Sequence, residues 1–71
     1  MMYTWKIKII LHNGKEIEGI YQSNKANSTE ACYEFLGTNI NQGSYSVMRG
    51  LKDNSIIFVK TLEIDSIEFD F

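Results

Sequence analysis

The run Ile7-Lys8-Ile9-Ile10-Leu11-His12-Asn13-Gly14-Lys15-Glu16-Ile17-Glu18-Gly19 constrains this chain more than any other. Two stretches of alternating character flank Asn-Gly, the strongest short-range signal for a β-hairpin. Strand 1 is expected over about 3–11, with Tyr3, Trp5, Ile7, Ile9 and Leu11 on one face. Strand 2 is expected over about 15–22, with Ile17, Gly19 and Tyr21 together. Parity then chooses the loop. A two-residue Asn13-Gly14 loop would set Leu11 against Glu16 and Ile9 against Glu18, placing carboxylates on the apolar face. A three-residue loop, His12-Asn13-Gly14 with Gly14 left-handed, sets Ile9 against Ile17, Trp5 against Tyr21 and Lys8 against Glu18. A one-residue slip inverts every side chain, so the apolar face selects the three-residue loop. Gly19, inside a strand, marks a bend or a close backbone approach.

Beyond the hairpin, Asn27 fits a helix N-cap, with Glu30 completing a capping box. The helix spans about 28–36 and turns Ala31, Cys32, Phe35 and Leu36 inward. Glu30, Tyr33 and Glu34 lie outward or at the rim, and Gly37 serves as a left-handed C′ residue. A polar loop, 38–44, leads to a third strand at 45–51. Lys52-Asp53-Asn54-Ser55 is a turn. The continuous apolar run Ile56-Ile57-Phe58-Val59 reads as the central strand, covered on both faces. A short turn or 3₁₀ segment follows at 61–65, and a last strand at 66–71 points Ile67, Phe69 and Phe71 inward. Its acidic residues suit it as a neighbour of the lysine-bearing first strand, a pairing that joins the termini and partly closes the sheet. The expected fold is α+β: a small, strongly bent antiparallel sheet or partly open barrel, ordered β-β-α-β-β-β, with one short helix.

Seventy-one residues make a single domain, 1–71, with a core of marginal size. One cysteine excludes an intrachain disulfide and a thiolate metal cluster, and suits a reducing cytoplasm. Homo-oligomerisation is then the route to further stability, and 44% hydrophobic content supports it. A net charge of −2 with seven Lys and Arg argues against a dedicated nucleic-acid binder. No apolar run reaches the ~18 residues of a membrane span, and Lys6 and Lys8 interrupt any signal-peptide core.

Catalytic chemistry finds no constellation. His12, the single histidine, sits at the hairpin tip with no nucleophile beside it in sequence and reads as a turn residue. Cys32 reads as a small core residue. Glu63, Asp65, Glu68 and Asp70 read as a solvated edge, since a hard-cation site needs loop ligands as well. The dispersed glycines cradle no phosphate. The chain is expected to be no enzyme and to use no cofactor or metal. A binding surface remains: Asn39, Asn41, Gln42, Tyr45 and Arg49, with Tyr33 at the helix rim. They supply amide donors, stacking rings and a bidentate cation.

Residues 7–21 resemble the first motif of the Sm-like small barrels: an alternating strand, then Leu11, Asn13-Gly14, Ile17 and Gly19. Arg49-Gly50 is similar to that family's second motif. The resemblance implies an RNA-binding ring, although Lys25-Ala26-Asn27 leads into a helix where the family places its RNA pocket. The layout is also similar to small uncharacterised proteins of phages and prophages of low-GC Gram-positive bacteria. That likeness implies a phage-derived module binding a protein partner or small ligand, or sequestering a nucleotide signal of a bacterial defence system.

Overall fold

The structure is a computed structural model and describes residues 1–40 and 43–70. Along the chain run β1 (Tyr3–Leu11), β2 (Glu16–Ser23), α1 (Ser28–Thr38), β3 (Tyr45–Gly50), β4 (Ile56–Lys60), a 3₁₀ turn (Thr61–Glu63) and β5 (Ile64–Phe69). The strands form one antiparallel five-stranded sheet in the order β4-β3-β2-β1-β5. It stays open, with β4 and β5 as its two edges.

The hairpin takes the register demanded by its apolar face. Ile9 lies opposite Ile17, Trp5 opposite Tyr21 and Lys8 opposite Glu18. Leu11 N–H donates to Lys15 O and Gly14 N–H to Leu11 O, both at 2.9 Å, which closes the three-residue loop. Gly14 has φ of +87°, a conformation glycine adopts without strain. β5 pairs with β1, placing Ile67 opposite Ile9 and Glu68 opposite Lys8.

Ile7, Ile9, Leu11, Phe35, Met48 and Val59 form the buried core between the sheet's inner face and α1. Phe35 links the layers. Its ring stands edge-on to Tyr21 at 5.2 Å and tilted to Phe69 at 6.0 Å. Asn27 caps the helix, its Oδ1 accepting from Thr29 N–H and Glu30 N–H at 3.0 and 3.1 Å.

Several expectations need correction. The run Ile56–Val59 is not a central strand: β4 is an edge strand, and β2 takes the centre. Ile57 and Val59 turn inward, whereas Ile56 and Phe58 are 59% and 68% exposed, so the run has one covered face. The helix does not stop at Leu36. It continues through Gly37 to Thr38, ends on Asn39 with right-handed helical backbone, and leaves Leu36 at the surface. Glu34 lies at the rim and is bonded to the sheet, a contact that its position on the helix does not announce. Its Oε1 accepts from Tyr21 Oη and Ser23 Oγ, each at 2.7 Å, and Ser23 Oγ accepts from Lys25 N–H. That network satisfies the buried Ser23 hydroxyl and ties α1 to β2.

Candidate binding face

Period-two alternation splits every strand between two faces. The inner residues meet α1; among the described residues no element packs on the outer face. That outer face has two halves of different chemistry. Over β1, β2 and β5 it is mostly polar, with Lys6, Lys8, Glu16, Glu18 and Glu68 and one apolar residue, Ile10, between Glu16 and Ser66; Lys8 Nζ lies 3.5 Å from Glu16 Oε1. Over β3 and β4 it carries Tyr45, Val47, Arg49, Ile56, Phe58 and Lys60. Phe58 lies opposite Val47, Ile56 opposite Arg49 and Lys60 opposite Tyr45. Ile20, opposite Arg49 on β2, continues the apolar half.

Gly19 explains why β3 can sit here at all. A Cβ on Gly19 would lie 2.5 Å from Arg49 O and 2.6 Å from Met48 Cγ, so the missing side chain lets β3 approach β2. The contact is brief: β2 and β3 pair only at Gly19–Gly50 and Ile20–Arg49. Where β2 departs, Asn39 takes over as the partner of Val47. Val47 N–H donates to Asn39 O at 3.0 Å, and Asn39 Nδ2 donates to Val47 O at 3.1 Å. The end of the helix therefore substitutes for a strand along this stretch of β3.

Of the residues proposed from sequence, Tyr45 and Arg49 share the outer face of β3. Tyr45 is half exposed, and Arg49 Nη1 donates to Asn54 O at 3.2 Å, holding the β3–β4 turn. Asn39 borders them, but its side chain is engaged with Val47 and with Thr38 Oγ1, so its role is to position β3. Tyr33 is exposed on α1, in the layer behind the sheet, and does not join them. Asn41 and Gln42 lie outside the described residues. Sequence reading missed Ile56 and Phe58, whose apolar character pointed to the interior. It also missed Leu62, 91% exposed on the 3₁₀ turn.

Two hollows adjoin this face. An open groove of about 600 Å³ is lined by Gly43, Ser44, Tyr45, Lys60, Leu62 and Glu63. A smaller one of about 190 Å³, between the diverging β2 and β3, is lined by Ile20, Tyr21, Gln22, Asn39 and Arg49. Asp53, at the turn, accepts from Ser55 Oγ and Ser55 N–H, and these bonds hold its carboxyl below its ordinary range. His12 Nδ1 lies 3.3 Å from Asp65 Oδ1 at the far end of the sheet, with both groups exposed. Among the described residues no three His, Cys, Asp or Glu side chains gather as metal ligands, and no helix is long and apolar enough to cross a membrane. No family model, curated protein or solved structure matches the chain.

Proposed function

We propose that this chain is a non-enzymatic binding module that works as a homo-oligomer and contacts a protein partner through the outer face of β3 and β4. One observation carries the reading: large apolar side chains stand exposed together there, with Phe58, Ile56 and Tyr45 flanked by Arg49 and Lys60. Aromatic residues and arginine are the types that dominate protein interfaces, and clustered exposed apolar area on a small protein marks an interaction site. A small ligand at Arg49 has less support, because the hollow there is below the ~300 Å³ at which ligand pockets begin. Cys32 as a free thiol suits a reducing compartment such as the cytoplasm.

Native mass spectrometry of protein purified gently from cells is the direct test. The wild-type chain is expected to carry further copies or a partner protein. Phe58→Asp, which keeps an exposed strand position and adds charge to the face, is expected to lose them. A wild-type chain that flies only as a bare monomer overturns the reading.

A further inference from the structure

We propose that two copies of this chain pair edge to edge through β4, antiparallel about a two-fold axis at Phe58, joining two five-stranded sheets into one. The inference rests on the homo-oligomer reading above and specifies its contact.

The backbone supplies the first argument. Val47 directs both its N–H and its C=O to Asn39, away from β4, so the Val47–Phe58 pair is a non-hydrogen-bonded one. The neighbouring bonds agree: Gly50 N–H donates to Ser55 O and Thr61 N–H to Ser44 O. By alternation, Ile56, Phe58 and Lys60 therefore aim their N–H and C=O groups out of the sheet. A second β4 centred on Phe58 sets Phe58 opposite its own copy and Ile56 opposite the copy's Lys60. In that register every outward group of the three residues finds a complement. On the inner side, Ile57 of each copy meets Val59 of the other and extends the core.

Charge supplies the second argument. Proteins blunt sheet edges with prolines and charges, and this chain has no proline. Its β5 edge is guarded by Asp65, Glu68 and Asp70, and two such edges would repel each other. The β4 edge carries one charge, Lys60. In the proposed register the two Lys60 side chains stand four residues apart, ~14 Å at ~3.4 Å per residue, beyond the ~8 Å screening length of physiological salt. Of the two edges, only β4 pairs with itself without like-charge contact.

Exposed apolar area also lies beside the β4 edge. Phe58 and Ile56, at 68% and 59% exposure, offer on the order of 200 Å² of apolar side chain per copy. With the paired strands the interface stays below about 1,000 Å² in total, the range of weak, transient contacts. A reversible, concentration-dependent dimer is expected.

Lys60 provides a variant that tests the edge while sparing the monomer. Its φ of −63° and ψ of 121° already suit proline, and its N–H points outward. Lys60→Pro deletes one donor per copy, and Lys60→Ala keeps that donor while removing the charge. Sedimentation is expected to show a wild-type dimer, retained by Lys60→Ala and weakened roughly 10- to 100-fold by Lys60→Pro. Circular dichroism should show all three folded alike. In a Cys32→Ser background, Phe58→Cys is expected to form an intermolecular disulfide on mild oxidation, because hydrogen-bonded strand pairs hold their Cα atoms ~5.5 Å apart. A dimer that survives Lys60→Pro, or a Phe58→Cys chain that does not cross-link, overturns the β4 pairing but leaves the proposed function standing. A wild-type monomer that still binds a partner protein overturns both the β4 pairing and the homo-oligomer part of the proposed function, and leaves only the partner contact standing.

Discussion

Gly19 lies in a strand and Gly37 in a helix, and together with their neighbours this sets the sign of what a methyl group does. At Gly19 the obstacle is the Arg49 carbonyl, part of the β3 backbone, at 2.5 Å, together with the Met48 side chain. Met48 has rotamers to spare; a carbonyl held in a ladder has none. Gly19→Ala must push β3 from β2 and is expected to cost ~1–3 kcal/mol, the usual range for overpacking. At Gly37 a Cβ meets nothing within 4 Å, and the residue is helical. Gly37→Ala is expected to gain up to ~1 kcal/mol by restricting the unfolded chain and favouring the helix. Thermal unfolding followed by circular dichroism checks the pair: the Tm should fall for the first and rise for the second. A Tm that does not fall for Gly19→Ala would show that β3 does not lie against Gly19, and one that falls for Gly37→Ala would show that the helix end is not open there.

Between elements, the contact with the clearest pH signature is the one joining α1 to β2. Hydrogen bonds from Tyr21 and then Ser23 hold the Glu34 carboxyl below its ordinary range. Tyr21 moves the other way, raised by burial first and by its bond to Glu34 second. A carboxyl whose pKa is lower folded than unfolded binds fewer protons in the native state. Its contribution is therefore present above the unfolded value of about 4.3 and is lost as pH falls through the folded one. The Tm advantage of wild type over Glu34→Gln is expected to hold at pH 6 to 7 and to shrink below about pH 4.5. An advantage constant over that span would mean that the carboxylate charge is not what ties α1 to β2. This contact also marks the limit of what sequence alone conveys. The hairpin was legible because alternation and Asn-Gly act over a few residues, and the Asn27 cap for the same reason. Glu34 looked like any surface glutamate, since only the tertiary fold carries Tyr21 and Ser23 to it. The β4 run misled for a related cause. Four apolar residues in a row signal two covered faces, and the sequence holds no local sign that one face meets solvent. Residue type singled out Tyr45 and Arg49 as candidates, and the same criterion turned Ile56 and Phe58, which share their face, toward the interior.

At the scale of the molecule, the sheet is unevenly tied. β1 and β2 pair over eight residue pairs and β1 is flanked on its other side by β5, whereas β3 joins β2 through two. Ile7, Ile9 and Leu11, half of the buried core cluster, stand on β1. The β3–β4 hairpin adds Met48 and Val59 to that core, with Ile57 packed against it, and is further held by the Asn39–Val47 bonds at the end of α1 and by Leu51 N–H donating to Glu18 O at 3.4 Å. Local opening follows the density of such ties, so the hairpin should open without unfolding the rest. Hydrogen exchange on the Lys60→Pro chain, where edge pairing is weakened, is expected at low concentration to divide the amides into two groups. Those of β1 and β2 that bond within the sheet should exchange only on global unfolding. Those linking β3 to β4, with Val47 N–H, should exchange faster and together. Uniform protection across both groups would show that the short β2–β3 ladder transmits the full cooperativity of the fold. A separable hairpin would place the exposed apolar face of β3 and β4 on the least constrained part of the sheet. It would then also be the part most stabilised when a second β4 or a partner protein closes over it.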